Sequence, residues 1–327
     1  RFIIISWNIP GRMAKIPTIL PGQIYMLGND TYSFELLEEI NPFETSITLP
    51  EFTIKFDNSN KKFDIVNPKG VVAFLRQKMQ LETAIKIKTA TDYERVSTGD
   101  FYLYLWPDDS QEDEASLTCR PSMAFENKYY INAGRNTQTV AQAAAVIFAN
   151  VDESYSIDAD LQSITVNQYI GENVSLLSAM GQLAVAACGY WQIGRDGSYN
   201  LKKWQYTTPT NAVDYDNAWE RPVTQQRERI TSVNVKYYTF DGVYPTDTGL
   251  TDHDNIVALA DDTGEMVEIQ SAFIGVKNHA DTVASAALAY FANRLEYASK
   301  YRGDLSIQPG DGITLENDYG ESEIIVL

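Results

Sequence analysis

Apolar and polar residues alternate most clearly in the first third of the chain. Residues 52–56 read Phe-Thr-Ile-Lys-Phe, residues 83–88 alternate in the same way, and residues 100–106 form a long aromatic run that Pro107 ends. A period of two is typical of a strand with one face in a core and one in water. Together these runs predict a small antiparallel sheet or barrel, filled by β-branched and aromatic side chains.

Residues that favour turns separate these strands and predict the remaining elements of the same region. Residues 57–62 are polar, and their Asp, Asn and Ser side chains favour a turn. Residues 63–70 end in a further turn, and residues 70–78 read as a short helix or turn that plugs one end of the barrel. Additional strands are expected at 2–6, 32–36 and 45–49. The prolines within residues 1–27 predict an extended arm after the first strand.

Helical periodicity appears only in the second half of the chain. Thr139 followed by Gln142 predicts a capping box, and four later apolar residues fall on one helical face: Val140, Ala144, Ile147 and Phe148. A second helix is expected to start at residues 173–175. Its buried face is predicted to comprise Leu177, Met180, Ala184 and Ala187, with Gly189 as the left-handed residue that closes it.

A third, longer helix is predicted from Asp281, as the N-cap, to Lys300. Its buried stripe recurs every three or four residues: Ala284, Leu288, Phe291, Leu295 and Ala298. Arg302 and Lys300 complement the carboxyl end of this helix, and Gly303 ends it.

Strands surround these helices. Residues 190–193 and 199–204 are predicted to form a hairpin through the Arg195-Asp196-Gly197 turn, because Asp-Gly tolerates positive φ. Residues 229–238 alternate cleanly and should begin a second β unit. Near the end, Pro309-Gly310-Asp311 predicts a turn that leads into a strand containing Ile313 and Leu315.

Composition and charge narrow the range of functions. At 327 residues, with 44% apolar and 21% charged residues, the chain is an ordinary globular sequence with two or three expected domains. The net charge of −18 disfavours binding to nucleic acid or anionic membranes. Either solubility or an acidic channel through which DNA slides without sticking would explain this charge. The 20 Tyr and 13 Phe favour β structure and broad contact surfaces.

Cysteine and histidine are scarce. Cys119 and Cys188 are too few for a disulfide framework and are expected to be buried free thiols, and two histidines make a histidine-based site improbable. No run approaches the length of a membrane span, and no signal peptide is visible. Because the chain begins at Arg1 rather than Met, we expect a fragment or processed form of a longer protein.

Three segments carry residues that suggest chemistry, and a simpler interpretation accounts for each. Residues 108–114 hold five carboxylates but no Gly-centred ligand loop, so a solvated hairpin tip is expected instead of a metal site. Residues 252–254 read Asp-His-Asp without a nucleophile motif. Residues 194–196 suggest a ligand loop, although the turn alone explains them. The sequence therefore predicts no catalytic, cofactor-binding or metal-binding residues, and no cofactor.

Motifs in three separated blocks resemble tail-hub, or baseplate-hub, proteins of phages that infect Gram-positive bacteria. The N-terminal block carries the family's "FTI-DN", "FD--NP-G" and "G-FYL--W" pieces: Phe52-Thr53-Ile54, Asp57-Asn58, Phe63-Asp64, Asn67-Pro68, Gly70, Gly99, Phe101-Tyr102-Leu103 and Trp106. The middle block is a helix rich in small residues before a strand and an "R-DG" turn. The last block carries "RG-", "L-PGD-I" and "YG": Arg302-Gly303, Leu305, Pro309-Gly310-Asp311, Ile313 and Tyr319-Gly320.

The resemblance implies an α+β, mainly β chain with two small antiparallel barrel-like domains linked by a mixed helix and strand region. The expected division is an N-terminal arm (1–27), a first barrel-like hub domain (28–118), a mixed α/β domain (119–220), a second barrel-like hub domain (221–240 and 303–327) and an inserted strand and long-helix region (241–302).

The function that the resemblance implies is structural. Three copies would form a homotrimeric hub ring at the tail tip of a phage or prophage virion, assembled in the cytoplasm of the bacterial host. The ring would join the six-fold tail tube to a spike, fibre or receptor-binding apparatus, contact distal tail or tube proteins, and let DNA pass. The alternatives are a tail-associated enzyme that degrades cell walls, and a carbohydrate-binding module that uses exposed aromatic residues such as Trp191, Trp204 and Trp219.

Overall fold

The structure is a computed structural model in which two compact units are distinguished by their internal contacts. The described residues are 3–6, 24–26, 31–61, 80–88, 93–105, 113–121, 125, 128–130, 136–149, 151, 153–167, 174–205, 207–242, 249–259, 264–300 and 306–327. The first unit comprises Arg1–Glu39, Leu49–Ala124 and Ile193–Ser198; the second comprises Ile40–Thr48, Phe125–Gln192 and Tyr199–Leu327. The helix predicted at 70–78 and the turn predicted at 63–70 lie outside the described residues.

The first unit contains one antiparallel sheet. Its strands are β1 (Ile3–Ser6), β2 (Ile24–Met26), β3 (Thr31–Leu37), β4 (Glu51–Asp57), β5 (Gln80–Lys88), β6 (Tyr93–Leu105) and β7 (Glu114–Arg120). They lie in the order β2-β1-β5-β6-β7-β4-β3, and each is antiparallel to its neighbours. The strands predicted at 2–6, 32–36, 52–56, 83–88 and 100–106 fall on β1, β3, β4, β5 and β6, although β6 begins at Tyr93.

Alternate side chains of β4 form the buried face of this sheet, as its sequence pattern predicts. Phe52, Ile54 and Phe56 are buried, and Phe52 lies opposite Cys119 of β7 and stacks on Phe101 of β6 with 5.3 Å between the ring centroids. Burying an aromatic or aliphatic side chain of this size contributes about 1.5–3 kcal/mol. The predicted turn follows, with the Asp57 carboxylate accepting from the Ser59 N–H at 2.9 Å.

The described residues of the second unit form four helices and several small sheets. Its helices are α1 (Val140–Phe148), α2 (Ala159–Gln162), α3 (Leu176–Ala186) and α4 (Lys277–Phe291). Its strands are β8 (Thr137–Thr139), β9 (Tyr155–Ile157), β10 (Thr165–Asn167), β11 (Gly189–Ile193), β12 (Tyr199–Lys203), β13 (Asn211–Val213), β14 (Val223–Gln226), β15 (Ile230–Thr239), β16 (Thr251–His253), β17 (Ile256–Ala258), β18 (Glu265–Gln270), β19 (Leu295–Ala298), β20 (Gly312–Asn317) and β21 (Gly320–Ile325). Ile193, at the end of β11, groups with the first unit.

Five sheets are formed by these strands within the described residues. Their strand orders are β10-β8, β11-β12-β9, β13-β20-β21, β14-β19, and β16-β15-β17 with β18 added on β15. The α+β, mainly β class is therefore confirmed. Neither of the two predicted barrels is closed in the described part of the chain. The sheet of the first unit ends at β2 and β3, which do not pair with each other, and β15 and β20 lie in different sheets. The five-part domain division stays a prediction.

The start of α1 confirms the predicted capping box. The Thr139 hydroxyl accepts from the Gln142 N–H at 3.2 Å, and the Gln142 side-chain oxygen accepts from the Thr139 N–H at 2.9 Å. The four apolar residues predicted on one face of this helix are all buried. The Phe148 ring then lies 5.6 Å from Trp191 and 5.7 Å from Tyr199, which joins α1 to the β11 and β12 strands.

The helix predicted from residues 173–175 is α3, and Ser175 caps it by accepting from the Ser178 N–H. Its predicted face is largely correct, except that Leu176 is buried where Leu177 is half-buried. The prediction for the helix end is wrong in one detail. Cys188, with φ of 52°, takes the left-handed conformation, and Gly189 begins β11.

The strand predicted at residues 45–49 is not formed. Pro42 and Pro50 bound this segment, Phe43 has φ of 64°, and the Phe43 ring packs 5.7 Å from Tyr290 of α4. The backbone of Thr45 passes so close to α3 that a Cβ built on Gly181 would lie 2.3 Å from the Thr45 carbonyl oxygen. Packing against helices therefore replaces strand pairing here.

The long helix predicted from Asp281 to Lys300 is wrong at both ends. Helix α4 starts at Lys277, so Asp281 lies one turn inside it and pairs with Lys277 at 3.0 Å. The helix ends at Phe291, and Leu295–Ala298 form strand β19. Leu295 and Ala298 continue the three-to-four-residue spacing of the predicted helix. They nevertheless form a strand, because this segment pairs antiparallel with β14.

The remaining turn predictions are confirmed. Gly197 has φ of 79° in the hairpin between β11 and β12, and Gly310 has φ of 93° before β20. Ile313 and Leu315 are buried on β20, and residues 229–238 fall on β15. Helix α4 packs against β15 and β17, with Val233 among the buried strand residues.

The contact at Gly181 gives a test of this packing. Alanine is about 1 kcal/mol better than glycine inside a helix, but a Cβ 2.3 Å from the Thr45 oxygen must displace it. We expect Gly181→Ala to lower the free energy of unfolding by about 1–3 kcal/mol in urea denaturation. Gly249→Ala is the matched control, since nothing lies within 4 Å of its Cβ position. A Gly181→Ala protein as stable as its parent would show that the contact is not tight.

Candidate functional site

The Asp-His-Asp segment at 252–254 is held by structural contacts. The His253 ring stacks on Tyr237 at 4.9 Å and forms a hydrogen bond of 2.9 Å with the Thr239 hydroxyl. The Asp254 carboxylate accepts from the Asn234 amide at 2.8 Å. Across the described ranges, no group of three or more His, Cys, Asp and Glu residues is placed to hold a metal ion.

The acidic run at 108–114 is only partly described. Residues 108–112 lie outside the described ranges, Asp113 approaches Lys61 at 3.8 Å, and Glu114 begins β7. Three aspartates of residues 241–264, which surround the Asp-His-Asp segment in the sequence, also lie outside the described ranges: Asp247, Asp261 and Asp262.

Both cysteines are free thiols. Burial raises the pKa of Cys119 to about 12 and the pKa of Cys188 to about 11. The thiolate is the nucleophilic form of cysteine, so both side chains are protonated and inert at neutral pH.

Arg195, in the predicted hairpin turn, forms an ion pair. Its guanidinium donates to both carboxylate oxygens of Glu38, at 3.0 Å from Nε and 2.6 Å from Nη2. The two side chains are only 13% and 15% exposed. The geometry is the strong bidentate form of this interaction, and it makes Arg195 a structural residue of the first unit.

His279 lies at the contact between α4 and the end of α3. Its Nε2–H donates to the Ala186 carbonyl at 2.7 Å, while its Nδ1 is buried without a hydrogen-bond partner among the described residues. Burial lowers the pKa of His279, and the hydrogen bond to Ala186 opposes this only in part. The ring is therefore held in its neutral form.

The three tryptophans proposed for carbohydrate binding do not share one surface. Trp191 is buried and donates from its indole N–H to the Met180 carbonyl at 2.9 Å. Trp204 packs its ring between Tyr190 and Tyr290, at 5.9 and 5.0 Å. Trp219 is 70% exposed.

A cleft of about 1090 Å³ lies within the second unit, between strands β19 and β21. Its lining includes the rings of Trp204, Tyr290 and Tyr297, and the Tyr297 hydroxyl lies 3.4 Å from the Ser322 hydroxyl. Arg227, also in the lining, forms an ion pair with Glu296. The lining offers aromatic rings, apolar side chains and an ion pair.

Strands β14 and β19 form a two-stranded ribbon beside this cleft. The open edge of β14, together with the exposed side chains of Trp219 and Val223, is called the ribbon surface here. All four side chains of β14 are exposed, and Trp219 continues the ribbon through its N–H bond to the Lys300 carbonyl at 2.6 Å. The helical spacing of residues 288–298 predicts a helix where this ribbon lies, so the sequence indicates only the exposed Trp219.

No helix among the described residues has the length and apolar character needed to cross a bilayer.

Comparison with known proteins identifies the fold. No protein-family model matches the sequence, and no curated protein matches it. A tail protein from Neisseria meningitidis MC58 matches with a TM-score of 0.64 and 11% identity, over 99% of this chain and 90% of that chain. The 43 kDa tail protein of prophage MuSo2 from Shewanella oneidensis matches with a TM-score of 0.62 and 11% identity, over 99% and 92%.

A third structure is the prophage tail protein gp18 from Listeria monocytogenes EGD-e, with a TM-score of 0.58 and 10% identity, over 99% of this chain and 88% of that chain. The chain therefore shares its fold with phage and prophage tail proteins along nearly its whole length. Membership of the hub family, and a host among Gram-positive bacteria, stay predictions.

The ion pair of Arg195 and Glu38 should contribute much more stability than an exposed pair. Arg195→Ala leaves a mostly buried carboxylate without its partner, and we expect it to cost about 3 kcal/mol in denaturant unfolding. Arg221→Ala is the control, because Arg221 and Asp318 are 73% and 58% exposed and their pair should contribute about 0–1 kcal/mol. Equal losses in the two variants would contradict this ranking.

His279 should make stability depend on pH. Its pKa is lower in the folded chain than in the unfolded chain, so the unfolded state binds the proton more readily. The stability linked to His279 is complete above its ordinary pKa of about 6.5 and falls as the pH drops through that value toward the lowered one.

We expect His279→Gln, whose amide can still donate to Ala186, to lose less stability than the parent between about pH 8 and pH 5.5. Chemical denaturation at a series of pH values measures the difference. An unchanged slope in His279→Gln would show that this ring is not held neutral.

Proposed function

We propose that this protein is a structural component of a phage or prophage tail, and that three copies form the hub ring at the tail tip or baseplate. The observation that carries the proposal is the likeness to three solved structures, each described as a tail protein, over 99% of this chain. The hub motifs in three separated blocks of the sequence support the more specific assignment.

The number of units suits such a ring. Each chain has two compact units, so three copies bring six units together. A six-fold tube could then be joined on one side, through tube or distal tail proteins, and a three-fold spike, fibre or receptor-binding protein on the other. Shape and contact surfaces perform this work, so the proposal includes no catalytic residue and no cofactor.

The charge of the chain suits the passage of DNA. A net charge of −18 on each copy repels phosphate, and a ring that bound DNA would slow its exit. Within this proposal, DNA is passing cargo and part of the acidic surface faces the channel. The protein would be assembled in the host cytoplasm and would act in the virion.

The proposal predicts the mass of the assembled protein. Light scattering coupled to size-exclusion chromatography should give three times the 36.7 kDa of one chain, either for the purified protein or after mixing with its tube and spike partners. Negative-stain images of the same fraction should show a ring with a central hole. A mass of one chain under both conditions would exclude the trimeric hub, and images of closed particles without a hole would exclude DNA passage.

A further inference from the structure

The ribbon of β14 and β19 is an unprotected place for strand pairing. Within the described residues, β14 pairs only with β19, and an isolated two-stranded ribbon is marginally stable in water. Its sequence, Val-Thr-Gln-Gln, contains neither a charged residue nor a proline. Natural edge strands usually carry one of these to prevent pairing with another chain.

The hydrogen-bond pattern shows which backbone groups face the open edge. The Arg227 N–H donates to the Arg294 carbonyl at 2.8 Å, in register with the residue pairs of the ribbon, in which Gln226 lies opposite Leu295. Bonded and non-bonded pairs alternate in an antiparallel ladder. Gln225 therefore bonds inward to β19, while the N–H and C=O groups of Thr224 and Gln226 point away from it.

Exposed apolar side chains flank these groups. Val223, on β14 itself, is 57% exposed, and Trp219, three residues before Pro222, is 70% exposed. Tryptophan is enriched among the residues that contribute most to protein interfaces. The ribbon surface thus combines backbone groups ready to pair with side chains suited to contact.

Charges around the ribbon are compensated locally. Among the residues that the structure describes, three ion pairs border it: Glu220 with Lys300 at 3.3 Å, Arg221 with Asp318 at 2.8 Å, and Arg227 with Glu296. These pairs add no net charge, in a chain whose net charge is −18. By contrast, β18 and β21, which lie at the edges of their sheets in the described structure, each carry two glutamates. The described edge strands β13 and β17 are uncharged like β14, but they are not bordered by the exposed Trp219.

We propose that the ribbon surface binds a second copy of this chain, which adds a strand to the open edge of β14. The charge pattern selects this occupant. Two copies that each carry a net charge of −18 repel each other wherever carboxylates have no positive charge nearby. Their strands can pair where the surface is locally neutral. A basic partner would be drawn instead to the glutamate-bearing edges. The inference rests on the proposed function, since a ring requires contacts between copies.

Thr224→Pro tests the backbone contact. It removes an N–H that faces outward, and proline is tolerated on an edge strand at such a position, so the fold should be kept. Thr224→Ala is the matched control, because it shortens the same side chain and leaves the N–H. We expect self-association, measured by sedimentation velocity over a dilution series, to weaken at least about tenfold in Thr224→Pro and to change little in Thr224→Ala.

A second proline variant shows whether weaker association results from a folding defect. Gln226→Pro removes the other outward N–H and should weaken association similarly, while circular dichroism and thermal melting of both variants stay close to the parent. If Thr224→Pro alone misfolds, Gln226→Pro decides the question. Association as tight as in the parent, in a folded proline variant, would overturn the proposal.

Ionic strength supplies an independent readout. Because the surface is neutral and the remainder of each copy is anionic, raising salt from about 0.05 M to about 0.5 M should strengthen association by screening the repulsion. Weaker association at high salt would mean that opposite charges across the interface hold the copies together, which contradicts the proposal.

The outcomes separate this inference from the proposed function. A trimer that Thr224→Pro leaves intact would overturn the ribbon contact and keep the hub ring. A dimer that Thr224→Pro dissociates would keep the ribbon contact and overturn the trimer. A parent protein that stays monomeric alone, and assembles only around a different tail protein seated on β14, would exclude the second copy as the occupant.

Discussion

Unpaired edges are the constraint on which the architecture of this protein depends. A sheet that does not close into a barrel ends in strands whose N–H and C=O groups lack partners, and these groups must be solvated, protected or paired with another chain. The described sheets of this protein are all open. In the second unit, β18 and β21 carry glutamates at their sheet edges, whereas β14 carries no charge at all. Charged edges of this kind discourage pairing with another chain, whereas the uncharged edges of β13, β14 and β17 lack that protection.

The negative charge of the chain also controls its association with other molecules, because electrostatic repulsion acts over longer distances than strand pairing. A chain with a net charge of −18 is soluble and repels DNA, but it also repels its own copies. Assembly then requires surfaces where charge is compensated in place. The ion pairs of Arg221, Arg227 and Lys300 neutralise the border of the ribbon surface. A structural tail role needs both properties, since the same ring would have to hold together and leave DNA free.

Local physical rules explain the parts of the fold that the sequence predicted well. The alternation of residues 52–56 located β4, and the pairing of Thr139 with Gln142 located the start of α1, because each signal is complete within a few residues. The Asp-Gly turn before β12 is of the same kind. His253 and Arg195, which the sequence offers as candidates for chemistry, take part in a stacking contact and in an ion pair, respectively.

Taken alone, the sequence determined the class of the fold, the helix starts at α1 and α3, and the large negative charge, because these depend on neighbouring residues or on simple counting. For the same reason it located nine strands: β1, β3, β4, β5, β6, β11, β12, β15 and β20. The tertiary structure decided the end of α4, the conversion of Leu295–Ala298 into β19 and the irregular course of the segment around Thr45. In each case the local pattern fitted two conformations, and a partner distant in sequence selected one: β14 for β19, and α3 for Thr45. The ribbon surface exists only because of that selection, so no periodicity in the sequence could reveal it.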